Sequence, residues 1–248
     1  FGEMAPSTVL NEDRDGIELG NPNLDPYEAD NFDLAIEYYP TKLSVISFGV
    51  FHKSIDNAIF PATFDIADVP ASVDLSFLPA ATLATLEEVS TFINVGKSSI
   101  TGVEINYVQQ LDFLAAPFDG FLVSANLTLT DSKSELPDGR EVPFLKQSDT
   151  VWNVAVGYDK GPWDLRISAN FRDDYLDELF ETDLDRYTDD RMLVEASAKY
   201  NVNDTLQIYV EGKNLTDEEE YYYHGREDRL SQYDEFGRSV IAGIRLTF

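Results

Sequence analysis

The stretch Trp163-Asp-Leu-Arg-Ile-Ser-Ala-Asn-Phe-Arg172 shows the clearest pattern in the chain, because apolar and polar residues alternate at every position. Successive side chains of a β-strand point to opposite faces of its sheet. The alternation therefore predicts a strand with one apolar face and one polar face, and all its charges lie on the polar side. A fold built from such two-faced strands is expected.

The same alternation recurs along most of the chain and predicts nine strands in all. No run of about 18 apolar residues is present, so the sequence predicts no membrane-spanning helix. The predicted strands are 31–39, 43–54, 99–111, 121–130, 150–158, 163–172, 192–200, 206–211 and 239–248.

The connections between these strands alternate in length. Short turns rich in Pro, Gly, Asn and Asp occupy 39–42, 116–120, 159–162 and 201–204. Long connections occupy 55–98, 132–149, 173–191 and 215–237. Short turns on one side and long loops on the other are typical of an antiparallel transmembrane β-barrel, with the short turns periplasmic and the long loops extracellular. In the longest loop, Leu78-Pro79 predicts the start of a short helix.

Aromatic residues cluster beside the short turns, as expected where rings anchor at a membrane–water boundary. This predicted girdle comprises Tyr38, Tyr39, Phe113, Phe121, Tyr158, Trp163, Tyr200 and Phe248. The alternative fold is a soluble or surface-anchored β-sandwich that binds carbohydrate or calcium, in which the apolar faces pack against each other instead of lipid.

Charge and composition argue against several classes of function. The chain has 46 acidic and 18 basic residues, a formal net charge of −28, so nucleic acid is not an expected partner. It has no cysteine, so no thiolate metal site is expected and any bound metal would need oxygen ligands. Only His52 and His224 could serve a Ser-His-Asp triad, and no Gly-x-Ser-x-Gly elbow is present, so no enzyme is predicted.

A series of segments runs from residue 20 to the end of the chain. They are Gly20-Asn-Pro-Asn-Leu-Asp-Pro26, Asp30-Asn-Phe-Asp-Leu34, Phe51-His-Lys-Ser-Ile-Asp-Asn57, Ile100-Thr-Gly-Val-Glu104, Asn214-Leu-Thr-Asp-Glu218 and the terminal Phe248. These segments resemble those of the TonB-dependent receptors of the outer membrane, in the order in which that family carries them.

The resemblance implies that residues 1–248 are the C-terminal part of a larger barrel of about 22 strands that is plugged by an N-terminal domain. It also implies an outer-membrane location in a Gram-negative bacterium. The implied function is TonB-energised uptake of a scarce nutrient such as a ferric siderophore, cobalamin or a saccharide. The implied partners are outer-membrane lipid, the plug and remaining strands, the TonB complex and a small-molecule ligand. A passive outer-membrane pore is a third interpretation of the chain, besides the receptor and the β-sandwich.

The last long connection carries a dense group of aromatic and basic residues that predicts stacking on a sugar, catechol or aromatic ligand. A competing interpretation is that Tyr221–Tyr223 begin an extended strand above the membrane with one face packed. The candidate ligand-binding residues are Tyr221, Tyr222, Tyr223, His224, Arg226, Arg229 and Tyr233.

Two further groups of residues are singled out. The acidic residues Asp173, Asp174, Asp177 and Glu178 predict a Ca²⁺ site, since hard cations prefer several oxygen ligands, although a solvated acidic loop fits the same pattern. No other cofactor is predicted. Gly243, Leu246 and Phe248 resemble the C-terminal signal read by the barrel-assembly machinery, although Ile241 stands where that pattern prefers a polar residue.

Overall fold

The computed structural model describes residues 3–4, 8–10, 15–180 and 184–247. In this part of the chain nearly all regular structure is β-strand. Its elements are β1 (Thr8–Leu10), β2 (Gly16–Leu19), β3 (Glu28–Tyr38), β4 (Ser44–Asp56), β5 (Ile59–Asp65), α1 (Ala80–Leu83), β6 (Glu88–Asn94), β7 (Ser98–Gln110), β8 (Phe121–Glu135), β9 (Glu141–Val142), β10 (Thr150–Lys160), β11 (Trp163–Arg172), β12 (Tyr175–Glu178), β13 (Arg186–Thr188), β14 (Arg191–Asn201), β15 (Leu206–Lys213), β16 (Glu220–His224), β17 (Leu230–Asp234) and β18 (Ser239–Leu246).

Nine strands form one antiparallel meander, here called the wall sheet. Its order is β18-β15-β14-β11-β10-β8-β7-β4-β3, and β9 pairs with the end of β8. Each of the nine predicted strands corresponds to one of these, so the predicted strand count and class are confirmed. Among the described residues, β3 and β18 are the two edges, and the sheet is not closed into a barrel.

The connections of the wall sheet alternate in length as predicted. Residues 39–43, 111–120, 161–162 and 202–205 join strands at one end, the short-turn end. Residues 57–97, 136–149, 173–190 and 214–238 join them at the other end, the long-connection end. The predicted short helix is α1, which follows Pro79.

The long connections are more regular than the sequence indicates. Together with β1 and β2, which precede the wall sheet in the chain, they form two small sheets: the first loop sheet, in the order β1-β2-β6-β5, and the second loop sheet, in the order β12-β13-β16-β17. The two sheets meet where Ala62 bridges Leu179 in parallel and the amide of Thr63 donates to the carbonyl of Leu179 at 3.1 Å. The connections therefore fold together over the long-connection end.

The main cluster of buried apolar residues lies in these connections, in β2 and in the adjoining strand ends. Phe60, Val89 and Leu176 are at most 1% exposed, whereas Phe32 and Val240 on the apolar face of the wall sheet are 64% and 67% exposed. In the described chain no second sheet covers that apolar face. This arrangement is that of a barrel wall and not of the alternative β-sandwich.

The other face of the wall sheet is polar and contains a row of amides. Asn106, Asn126, Asn153 and Asn170 are direct cross-strand partners on β7, β8, β10 and β11. Within the row, Asn153 Nδ2 donates to Asn126 Oδ1 at 2.8 Å. Nearer the short-turn end, Lys199 pairs with Asp164 at 3.1 Å. The polar face thus carries matched hydrogen-bonding groups.

Two glycines on the polar face lie beneath aromatic rings of the neighbouring strand. A Cβ atom on Gly102 would fall 2.4 Å from Phe51 Cζ and 2.6 Å from the carbonyl oxygen of Leu129. A Cβ atom on Gly243 would fall 2.6 Å from the hydroxyl of Tyr209. The backbone and the ring therefore approach closely at Gly102, because only a residue without Cβ leaves room for the ring.

The described aromatic residues of the predicted girdle lie at the short-turn end, and Phe248 lies outside the described residues. Their rings contact one another across strands: Trp163 and Tyr200 have centroids 4.6 Å apart, and Phe121 and Tyr158 have centroids 4.9 Å apart. Tyr38 and Phe113 remain 65% and 67% exposed. Large exposed rings at one level suit an interface with lipid headgroups.

Candidate functional site

The tyrosines predicted to bind ligand lie on the second loop sheet, and four aromatic rings form a ladder across its strands. The order is Tyr187, Tyr223, Tyr221 and Tyr233, with Tyr187 contributed by β13. The rings of Tyr187 and Tyr223 stack at 5.5 Å with 10° between their planes. The interpretation of Tyr221–Tyr223 as part of an extended strand is confirmed, since β16 contains all three.

Hydrogen bonds hold the ladder in place. The buried Tyr223 donates its hydroxyl proton to Asp174 at 2.9 Å, and Tyr221 donates to the carbonyl of Glu227 at 2.6 Å. Tyr233, which is 43% exposed, donates to Glu235 at 3.1 Å. Burial and then the bond to Asp174 raise the pKa of the Tyr223 hydroxyl, and burial also raises the pKa of Tyr187.

The remaining predicted ligand residues have separate surroundings. Tyr222 lies on the opposite face of β16, with the guanidinium of Arg186 5.8 Å from its ring centre. The His224 ring approaches the carbonyl of Leu184 at 2.6 Å. Arg226 pairs with Asp228 at 2.7 Å in the exposed turn between β16 and β17, and Arg229 lies in the same turn. The structure thus unites Tyr221, Tyr223 and Tyr233 but not all seven residues.

The four acidic residues predicted to bind Ca²⁺ have different partners. The buried Asp177 pairs with Arg186 at 2.5 Å, and Glu178 pairs with the same guanidinium at 3.1 Å. Asp174 accepts the Tyr223 hydrogen bond, and a carboxylate oxygen of Asp173 accepts the backbone amide of Asp174. The described residues contain no group of three or more acidic or histidine side chains placed to hold a metal ion. The Ca²⁺ site stays a prediction.

A cavity of about 510 Å³, missed by the sequence analysis, lies where the two loop sheets meet. Three long connections line it, and because they are distant in sequence no local motif marks the site. The lining residues are Ala62, Thr63, Phe64, Asp65, Asp68, Pro70, Ile93, Leu136, Pro137, Asp138, Arg140, Leu179 and Phe180.

Arg140 holds two of these connections together. Its guanidinium donates to Asp138 and to the buried Asp185, each at 2.8 Å, and to the carbonyl of Phe180 at 3.4 Å. Asp185 also accepts the Phe180 amide at 2.8 Å. Burial raises the pKa of the Asp185 carboxyl, while the Phe180 amide and the Arg140 charge oppose that rise.

The residues of the predicted assembly signal lie at the short-turn side of β18. Gly243 is covered by Tyr209, and Leu246 is 53% exposed on the apolar face. Phe248 lies outside the described residues. The cover over Gly243 gives that glycine a packing role, and its role in assembly stays a prediction. No helix in the described residues is long and apolar enough to cross a membrane.

The family described as TonB dependent receptor-like, beta-barrel matches residues 1–215. The chain belongs to this family. A search of curated protein sequences gives no match.

Solved structures share the fold. A mutant of the ferric enterobactin receptor PfeA from Pseudomonas aeruginosa aligns with a TM-score of 0.61 at 17% identity, over 94% of this chain and 32% of its own. The ferric-catecholate import receptor Fiu from Escherichia coli K12 aligns with a TM-score of 0.59 at 14% identity, over 91% and 28%. The FrpB iron transporter from Neisseria meningitidis aligns with a TM-score of 0.55 at 13% identity, over 90% and 30%. The chain therefore spans about a third of these structures.

Proposed function

We propose that this chain forms part of the wall and the external surface of an outer-membrane receptor for TonB-energised uptake of a scarce nutrient in a Gram-negative bacterium. The observation that carries the proposal is the wall sheet, whose apolar face is exposed while its polar face carries matched hydrogen-bonding groups. Such a sheet is stable with lipid on one side and a wet lumen on the other.

In this orientation the long connections face the outside and the short turns face the periplasm. Of the 18 residues in 173–190, nine are acidic and one is basic, so a strongly negative surface meets the medium. The tyrosine ladder and the cavity lie on the same side as candidate ligand contacts. A plug, the remaining strands and the TonB complex are the proposed partners, and the plug would fill the space beside the polar face.

A ferric siderophore is the proposed nutrient, because the similar structures include receptors named for ferric enterobactin and ferric catecholates. Cobalamin and saccharides are the other nutrients proposed for the chain. The tyrosine ladder supports ligands with flat or ring-shaped groups, since aromatic side chains supply large contact areas in binding pockets.

Uptake in cells tests the proposal. Cells carrying the receptor should accumulate ⁵⁵Fe from a ferric siderophore, and accumulation should stop in a strain that lacks TonB. Matched cells without the receptor give the background. Accumulation that is unaffected by loss of TonB would favour a passive pore, and accumulation of labelled cobalamin or saccharide instead would replace the siderophore.

A further inference from the structure

The cavity between the two loop sheets is held by fixed contacts on several sides. The Ala62–Leu179 bridge and the Thr63 amide form one wall, and the Thr63 hydroxyl reaches Ser90 at 2.9 Å. Arg140 closes another side through Asp185 and the Phe180 carbonyl. Ligand sites favour such junctions between folded units, and a volume of about 510 Å³ suits a small organic molecule.

Most of the lining is apolar, which defines the body of the ligand. Phe64, Ile93, Leu136, Leu179 and Phe180 all contribute to it. Leu136 and Leu179 are buried, and the Phe180 ring is fixed edge-on against His224 with centroids 5.2 Å apart. Aromatic faces also attract cations through the ring quadrupole.

The charges of the lining define the polar end of the ligand. Arg140, the basic residue of the lining, is already neutralised by Asp138 and Asp185. Asp65 and Asp68 are exposed, and in the described part of the chain neither carboxylate has a basic partner. An anion would therefore meet two uncompensated negative charges, whereas a cation would be attracted by both.

We infer that this cavity binds an organic cation, with an apolar or aromatic body among Phe64, Leu136, Leu179 and Phe180 and a positive group beside Asp65 and Asp68. This ligand class rests on the proposed function, which places the cavity on the outside of the cell. The inference adds to that function that the nutrient, or the molecule that carries it, has a positive charge.

Binding is tested with three small probes on the intact receptor in detergent. The probes are benzyltrimethylammonium, uncharged benzyl alcohol and the anion benzenesulfonate, and isothermal titration calorimetry measures each affinity. The cation should bind at least tenfold more tightly than either of the other probes. The Asp65→Asn/Asp68→Asn double variant should lose about tenfold of that affinity.

A matched control distinguishes the local effect of Asp65 and Asp68 on cation binding from the effect of the overall negative charge of the protein. Asp190→Asn/Glu227→Gln removes the same charge from exposed positions of two other long connections, outside the cavity lining, whereas Glu88 is unsuitable because it is the cross-strand partner of Asp65. This variant should keep the cation affinity within about twofold. Equal losses in both double variants, or tighter binding of the anion, would overturn the inference. Siderophore-dependent ⁵⁵Fe uptake is measured separately, so uptake without cation binding rejects this inference alone, and cation binding without uptake rejects the proposed function.

Discussion

The phenyl ring of Phe51 covers Gly102 on the neighbouring strand, leaving no space for a side chain at that position. Gly102→Ala should lower the free energy of unfolding of the receptor by about 1–3 kcal/mol, because the added methyl would overpack against the ring and the Leu129 carbonyl. Urea unfolding in detergent, followed by tryptophan fluorescence, measures the loss. Gly49→Ala is the control, since its Cβ would have no neighbour closer than 3.8 Å.

The double variant Gly102→Ala/Phe51→Ala separates the two contacts at this position. In the Phe51→Ala background, Gly102→Ala should still lower the free energy of unfolding, but by less than it does in the wild type. The remaining loss is expected because the Leu129 carbonyl oxygen lies 2.6 Å from the Cβ position. A double variant as stable as Phe51→Ala alone would show that the contact with the Leu129 carbonyl has no energetic effect.

Asn214 fixes the base of the last long connection. It is buried, has a φ of 50°, accepts the Glu218 amide at 2.8 Å and donates to the carbonyls of Glu218 and Gly237. Asn214→Ala should lower the free energy of local unfolding of this connection by roughly 1–3 kcal/mol, because buried backbone groups lose their hydrogen-bond partners. The measurement is the rate of protease cleavage within 214–238.

Asn214→Gly isolates the backbone contribution, because glycine accepts a positive φ but makes no side-chain hydrogen bond. Cleavage of this variant should be faster than that of the wild type and slower than that of Asn214→Ala. Equal rates for the two variants would mean that the left-handed backbone conformation contributes nothing.

The Tyr223 hydroxyl makes the second loop sheet sensitive to alkaline pH. Its pKa is raised above the ordinary value of 10.0, so it stays protonated in the folded sheet under conditions where the unfolded chain ionises. The contribution of the Tyr223 hydroxyl to the stability of the folded sheet is therefore complete below about pH 10. It decreases as the pH rises further, by at most about 1.4 kcal/mol per pH unit.

Subtilisin cleavage within 173–190 and 214–238, measured from pH 8 to pH 11, should rise above pH 10 in the wild type. Tyr223→Phe should be cleaved somewhat faster at pH 8, because the bond to Asp174 is lost, but with a weaker dependence on pH. An unchanged pH dependence in this variant would show that Tyr223 is not the titrating group.

Arg140 should control the rigidity of the connections around the cavity. Arg140→Gln should increase hydrogen exchange at the Phe180 amide, because Asp185 loses its cationic partner; hydrogen bonds to charged groups contribute about 1.5–3 kcal/mol. Exchange followed by mass spectrometry measures the effect. Arg226→Gln breaks an exposed pair and should change exchange little. Similar effects of both variants would contradict a special role for Arg140.

The sequence predicted the wall sheet well because its strands are long and alternate strictly, as in 163–172. It predicted the loop sheets poorly. Stretches such as Arg186–Thr188 are short, and one of their pairing partners, β16, lies in another connection, so part of the pairing that makes them strands is not local. Tyr187 and Arg140 escaped notice for the same reason, since only the tertiary fold brings Tyr187 to Tyr223 and Arg140 to Asp185.

The buried core of the long connections also has an immunological consequence. Phe60, Val89 and Leu176 come from different segments of these connections, yet they belong to one apolar cluster. The surface above this cluster is therefore a discontinuous epitope assembled from distant parts of the chain. In the orientation proposed above, antibodies raised against the folded protein should bind this epitope on intact cells. Antibodies raised against peptides from a single connection should bind the denatured chain but not intact cells.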